Sequence, residues 1–240
     1  MKIEKRSPDP KYAWHFDKVS PYYYGDKITF YQLGHVSVAE MLKFLKRSYN
    51  YELKQTDSVL DIGCGVGRLA QFVAPHVSNI TCVDVSEGMV EASKNLLKNF
   101  NNVHVEKVDG SGVLKFEDRK FDMVFSHGTL GFVSDESLAK YAKESFRTLK
   151  DGGIFVFQIP NYKVPLALLW GCDAEKAKER LKLLVTGNLS HPTEKSRLGV
   201  PKSKKELEHL MLRSGFEDIH IERPALKRIY YLTAGVKPRA

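Results

Sequence analysis

Ser58-Val59-Leu60-Asp61-Ile62-Gly63-Cys64-Gly65-Val66-Gly67-Arg68-Leu69-Ala70 decides how the chain folds. It opens as a short apolar run, the pattern of a parallel strand buried on both faces. A carboxylate, Asp61, follows, and then three glycines at alternate positions. After Gly67 the spacing of Leu69, Ala70, Phe72 and Val73 becomes helical. The stretch therefore predicts strand, glycine turn, helix. Glycine admits positive φ and, lacking Cβ, lets a ligand lie on the backbone. In open α/β sheets such a turn, at the carboxyl end of a strand, is where ligands bind.

The dinucleotide fingerprint G-x-G-x-x-G fits only in part. Gly63 and Gly65 take its first two places, but Arg68 stands at the third and Gly67 comes one residue early. A pyrophosphate pressed on the helix start leaves no room for an arginine side chain there, which argues against a nicotinamide dehydrogenase. Asp-x-Gly-x-Gly-x-Gly instead resembles motif I of the class I S-adenosylmethionine-dependent methyltransferases. The alternative is a tight strand-to-helix turn that binds nothing.

Later motifs follow in that family's order. Ile80-Thr81-Cys82-Val83-Asp84 reads as a second parallel strand, rich in β-branched residues, with Asp84 at its carboxyl end. A carboxylate there can accept both ribose hydroxyls; the competing role is a helix N-cap. Asp84-Val85-Ser86-x-x-Met89 resembles the second motif, which implies Val85 and Met89 beside the nucleoside, although Met89 also suits a core. Residues 103–108 alternate and end at Asp109-Gly110-Ser111. The resemblance implies that Asp109 and Gly110 meet the adenine; Asp-Gly is also an ordinary turn. Phe121-Asp122-Met123-Val124-Phe125-Ser126-His127 resembles the fourth motif, with Ser126 and His127 leaving the strand where the methyl group would be presented.

The resemblance implies a seven-stranded, mostly parallel, doubly wound α/β sheet, the Rossmann-like methyltransferase fold, with an N-terminal lid and a small helical insertion after strand 5. It covers about residues 36–160 through ordered motifs and 203–235 through strand pattern. One domain is expected over 1–240: an arm or lid at 1–35, a cofactor-binding core at 36–160, a substrate cap at 161–200, and a C-terminal helix with two edge strands at 201–240. Within these, helices are expected over 36–49 and from about 137 to 149, the latter closed by a C′ glycine in Lys150-Asp151-Gly152-Gly153. Ser203 and Glu206 have capping-box spacing ahead of a helix over 204–214.

Methyl transfer from a sulfonium needs alignment and water exclusion more than covalent help. A base matters only where the acceptor must lose a proton. His127 is the first candidate and His15 the second; the alternative for His127 is that it packs or bonds the cofactor. S-adenosylmethionine is the implied cofactor, held by Asp61, Gly63, Cys64, Gly65, Gly67, Arg68, Asp84, Val85, Met89, Asp109, Gly110, Ser111 and Ser126. Tyr23, in the aromatic run Pro21-Tyr22-Tyr23-Tyr24, would approach from the lid, unless these rings simply pack on the sheet.

Composition sets the remaining bounds. Hydrophobic residues make up 42% of 240 and charged residues 28%, as in soluble globular proteins. No apolar run has transmembrane length and no signal-peptide core opens the chain, so no membrane partner is expected. Cys64, Cys82 and Cys172 lack metal-ligand spacing. Buried thiols in a reducing, cytoplasmic compartment follow, and no metal site is expected. The net charge is +8, and residues 161–240 hold 16 Lys and Arg against 9 Asp and Glu. No Asn-Pro-Pro-Tyr motif closes the fourth strand, no Pro-Cys nucleophile occurs, and no extra acidic pair signals a magnesium site. A small-molecule acceptor is therefore expected, with a tRNA or rRNA acceptor on the basic C-terminal third, or a non-catalytic cofactor-binding scaffold, as the alternatives.

Overall fold

The structure, a computed structural model, describes residues 27–161, 202–223 and 230–239. Elements are numbered among those residues. The chain runs α1 (Lys27–Tyr49), β1 (Ser58–Ile62), α2 (Ala70–Val73), β2 (Asn79–Asp84), α3 (Glu87–Leu97), β3 (Val103–Lys107), β4 (Phe121–His127), α4 (Asp135–Thr148), β5 (Leu149–Pro160), α5 (Lys204–Arg213), β6 (Glu217–Glu222) and β7 (Tyr230–Val236).

The strands form one seven-stranded sheet in the order β3-β2-β1-β4-β5-β7-β6. Pairing is parallel from β3 to β5, and β7 runs antiparallel to both β5 and β6. This is the doubly wound architecture expected from the sequence. Apolar side chains alternate between two faces because successive residues of a strand point to opposite sides. Val59, Met123, Phe125 and Val156 pack with Met41, Phe44 and Leu45 of α1 and with Ala70 and Val73 of α2. Leu60, Ile62, Val124, Phe155 and Phe157 pack with Leu138, Tyr141 and Ala142 of α4 and with Leu207 and Met211 of α5. Both faces of β1 are thus covered, and its residues are all buried.

Two boundaries differ from expectation, the start of α1 and the end of α4. α1 starts at Lys27 rather than at 36, so residues 27–35 belong to a helix of the core. Gly34, a poor residue in an isolated helix, lets α1 cross close over α2: a Cβ there would lie 2.8 Å from the Phe72 ring and 2.9 Å from the Arg68 carbonyl. The helix after the glycine turn has only four residues and gives way to a 3₁₀ turn, Ala74–His76, at Pro75. Finally, α4 ends at Thr148 and β5 begins at once, so Gly152 is not a helix C′ residue. It lies inside β5, where its amide donates to the Lys237 carbonyl and Lys237 returns a bond to Gly153. That pairing with the chain after β7 outcompetes the local helix stop.

The other end signals act as read. Ser203 accepts from the Glu206 amide while the Glu206 carboxylate accepts from the Ser203 amide, which makes the capping box. β6 and β7 form the antiparallel pair at the sheet edge. Among the described residues no helix is long and apolar enough to cross a membrane. Residues 1–26 of the expected arm and all of the expected cap but Asn161 lie outside the described residues.

Candidate active site

Because β1, β2 and β4 are parallel neighbours, their carboxyl ends meet at one edge of the sheet. The glycine turn crosses that edge from β1 toward α2. Each of its glycines has a separate reason. A Cβ on Gly63 would lie 2.2 Å from Thr129 Cγ2, and one on Gly67 would lie 2.7 Å from Leu97 and 2.8 Å from Ser93. These two are needed for packing. Gly65 has φ of +57°, and nothing lies within 4 Å of where its Cβ would be. Its bare backbone faces open space.

The turn is held from both sides. On the β2 side, the Val83 carbonyl accepts from the amides of Gly63 (2.7 Å) and Cys64 (3.0 Å). Asp84 Oδ2 accepts from the Gly65 amide at 2.9 Å. On the β4 side, Ser126 Oγ donates to the Ile62 carbonyl at 2.8 Å and Thr129 Oγ1 to the Gly63 carbonyl at 3.0 Å.

Asp61 sits inside β1, on the face it shares with Val59. Its register partners are Cys82 and Phe125. A position patterned for an apolar side chain therefore carries a carboxylate. Burial pushes its pKa well up, and the Asp84 charge adds to this; the nearby Arg68 guanidinium opposes it. Asp84 is raised as well, chiefly by burial, and the amides of Ser86, Gly65 and Val85 hold it back. Its second oxygen, Oδ1, accepts from the Ser86 amide at 2.9 Å. The N-cap of α3 is Ser86, whose side chain accepts from the Met89 amide, so Asp84 is not the cap.

Other expected site residues fall into two groups. Asp109, Gly110 and Ser111 gather just past β3. Asp109 is exposed, and its pKa is lowered by hydrogen bonds from Ser111. Gly110 abuts Val85: a Cβ on it would stand 3.1 Å from Val85 Cγ1. Met89 is buried with Val66 and Ala92, in the core role. Ser126 is buried with its hydroxyl turned to the Ile62 carbonyl. Cys64 and Cys82 are buried free thiols. The Cys64 thiol is held well above its ordinary pKa, first by its contact with Cys82 and then by burial.

His127 ends β4, half-buried, with Gln158 of β5 as its register partner. His15 and Tyr23 lie outside the described residues. Two residues escaped the sequence reading. Thr129 touches the glycine turn, and its only signal was a hydroxyl shortly after the strand exit. Tyr141 of α4 lies near both Asp84 and Asp109, and burial followed by those two charges raises its hydroxyl to about 12.

These residues suit a cofactor with hydroxyl and ammonium donors. Asp61, Asp84 and Asp109 supply acceptors around a surface, at Gly65, that a side chain would fill. S-adenosylmethionine has both kinds of donor, on its ribose and on its amino-acid end.

The comparisons agree. A family described as "Methyltransferase domain" matches residues 59–153. Demethylmenaquinone methyltransferase of Staphylococcus haemolyticus is 30% identical over 190 residues, 70% of this chain and 72% of the relative. Demethylmenaquinone methyltransferase of Leptospira interrogans is 38% identical over 103 residues, 41% of each chain. The chain thus spans well under half of that relative's length. Phosphoethanolamine N-methyltransferase 2 of Haemonchus contortus, solved with S-adenosyl-L-methionine, shares the fold with a TM-score of 0.63 at 19% identity, over 93% of this chain and 59% of that one. From fold, motif order and these similarities together, the chain belongs to the class I S-adenosylmethionine-dependent methyltransferases.

Proposed function

We propose that this chain moves a methyl group from S-adenosylmethionine to an O, N or C atom of a small-molecule acceptor by direct in-line transfer. The observation that carries the reading is the open face of Gly65, whose amide rests on the buried Asp84 carboxylate. Any larger residue at 65 would cover that face.

Bound there, the cofactor supplies an activated methyl group on a sulfonium. The chain's own residues do the rest. Asp84 fixes the Gly65 amide and has further lone pairs for ribose hydroxyls. Asp61 gives a buried carboxylate toward the amino-acid end, near enough to Arg68 for its charge to be felt. Asp109, with Gly110 against Val85, closes the nucleoside side. Cys64, Gly67 and Arg68 shape the turn, and Ser126 braces it from below. His127 stands at the sheet edge and would take a proton from an acceptor that must lose one, with His15 as the second choice. Residues 1–35, including Tyr23, would serve as lid, and residues 161–200 as substrate cap. The relatives named for demethylmenaquinone and phosphoethanolamine favour a metabolite over RNA. The buried free thiols Cys64 and Cys82 suit a reducing, cytoplasmic setting.

Calorimetry with S-adenosylhomocysteine, followed by transfer of labelled methyl from S-adenosylmethionine to panels of quinols, amines and RNA, tests the reading. Binding with transfer to a metabolite is the expected result. Transfer to RNA alone would move the acceptor to the basic C-terminal third. Binding without any transfer would make the protein a scaffold, and absence of binding would overturn the site.

A further inference from the structure

Two consecutive peptide planes of the glycine turn are each fastened at both ends. In the Ile62–Gly63 peptide the carbonyl accepts from Ser126 and the N–H donates to Val83. In the Gly63–Cys64 peptide the carbonyl accepts from Thr129 and the N–H donates to the same Val83 carbonyl. Carbonyl and N–H of a trans peptide point in opposite directions. They therefore reach opposite neighbours of β1: the carbonyls reach toward β4, the amides toward β2. The turn is a bridge strung between those two strands.

The second plane is the weaker of the two. It follows Gly63, whose φ of +75° and missing Cβ leave little of its own to resist a peptide flip. It also precedes Cys64, after which the chain reaches Gly65 and the open face. A flip at this plane would turn the Cys64 amide off Val83 and the Gly63 carbonyl off Thr129, and would leave the path of the turn into Gly65 held by the Asp84 bond alone. The Thr129 hydroxyl is the bond that opposes the flip from the β4 side. The Thr129 side chain, methyl and hydroxyl together, fills the space where a residue-63 side chain would be.

We propose that Thr129 is a positioning residue for the cofactor: its hydroxyl locks the Gly63–Cys64 peptide, and so keeps Gly65 in the orientation that receives S-adenosylmethionine. Thr129 acts through the turn and touches no reacting atom. The proposal rests on the reading of Gly65 as the cofactor surface, so the experiment carries a control for that reading.

Thr129→Val keeps the shape and removes the hydroxyl; Thr129→Ser keeps the hydroxyl and removes the methyl. S-adenosylhomocysteine affinity, measured by calorimetry, falls about tenfold in the valine variant, the scale of one lost hydrogen bond, and returns to within about twofold in the serine variant. Hydrogen exchange of the unliganded protein shows faster exchange at the Cys64 and Gly65 amides in Thr129→Val, while Leu60 in β1 is unchanged. In turnover, KM for S-adenosylmethionine rises more than kcat falls. Should the valine variant not fold, Thr129→Ala gives the same loss relative to Thr129→Ser. Gly65→Val is the control and abolishes binding. If it binds normally, the surface reading fails. If it abolishes binding while Thr129→Val and Thr129→Ala bind as the parent does, or if serine is as weak as valine, the Thr129 proposal alone is overturned.

Discussion

Asp84 and Asp109 follow neighbouring parallel strands at the same edge of the sheet, yet their surroundings are opposite. Asp84 is buried, its pKa is raised by that burial, and both of its oxygens already accept backbone amides. Asp109 is exposed, and its pKa is lowered by Ser111. The difference follows from the sheet. β2 lies between β1 and β3, whereas β3 is the edge strand. A carboxylate at the end of an inner strand becomes part of the frame. One at the end of an edge strand stays in water, free to meet a ligand. Replacing each in turn separates frame from contact.

The largest effect is expected at Asp84. Asp84→Ala takes the acceptor from the buried Ser86 amide, at about 1–3 kcal/mol, and from the half-buried Gly65 amide, at less. Relief of repulsion with Asp61 offsets part of that loss. A net destabilisation of about 2 kcal/mol by urea unfolding is expected, with a loss of S-adenosylhomocysteine affinity of about a hundredfold or more in calorimetry. Unchanged stability would show that Asp84 contributes contact and no frame.

Asp61 sharpens the comparison with an effect of the other sign. Its pKa in the folded protein stands above the unfolded value, so the folded state holds the proton more tightly. Stability is then fully present below the unfolded carboxylate value of about 4 and falls as pH rises through the folded pKa. Asp61→Asn removes this group's share of the fall. The variant without cofactor should lose less stability than the parent between acid and neutral pH in urea unfolding, and should bind S-adenosylhomocysteine less tightly. Parallel pH profiles would mean that Asp61 is not buried as a carboxylate.

How far the sequence carries this contrast depends on which contacts are local. β1, β2, β4 and β5 were legible because burial on both faces leaves continuous apolar runs such as Val59-Leu60 and Val124-Phe125, and the edge strand β3 because its residues alternate. The Ser203–Glu206 capping box was legible because its partners are three residues apart. Spacing also marked Asp61, Asp84 and Asp109 as strand-end carboxylates, but it carried no signal that one would be buried and another wet. That depends on strand order. The start of α1 was missed because Gly34 is explained only by Phe72 across the interface. Thr129 was missed because its partner, Gly63, is 66 residues away. Gly152 was misread because Lys237, from the far end of the chain, claims its amide.

A smaller effect is expected where the segment after Asp109 is tied down. Arg147 on α4 donates to the carbonyls of Phe116 (2.8 Å) and Leu114 (2.7 Å), and its neighbour Glu144 accepts from the Leu114 amide. Its ion pairs with Asp118 and Glu144 are partly exposed and add little. Arg147→Met should therefore cost about 1 kcal/mol, mainly through the two carbonyls. Exchange at residues 110–116 should quicken while the Gly65 amide stays protected. Equal loosening at Gly65 would mean that the β2 and β3 ends form one cooperative unit, and the contrast between them would break.

The smallest effect on stability is expected at Asp109 itself. Its carboxylate is exposed and bonded to Ser111, within its own turn. The folded frame therefore gains little from it, and the unfolding midpoint of Asp109→Ala should match the parent. Its pKa is lowered in the folded state, so its small share of stability is present above the unfolded carboxylate value and disappears as pH falls through the folded one. Binding should behave differently. A carboxylate that is not committed to the frame has acceptor sites left for a nucleoside, so affinity for S-adenosylhomocysteine should drop about tenfold, with a smaller loss for analogues lacking the adenine amino group. Asp84→Ala should show no such dependence on the base, because it disturbs the turn before any ligand arrives. If Asp109→Ala weakened every analogue equally, Asp109 too would belong to the frame, and position in the sheet would not sort the two carboxylates.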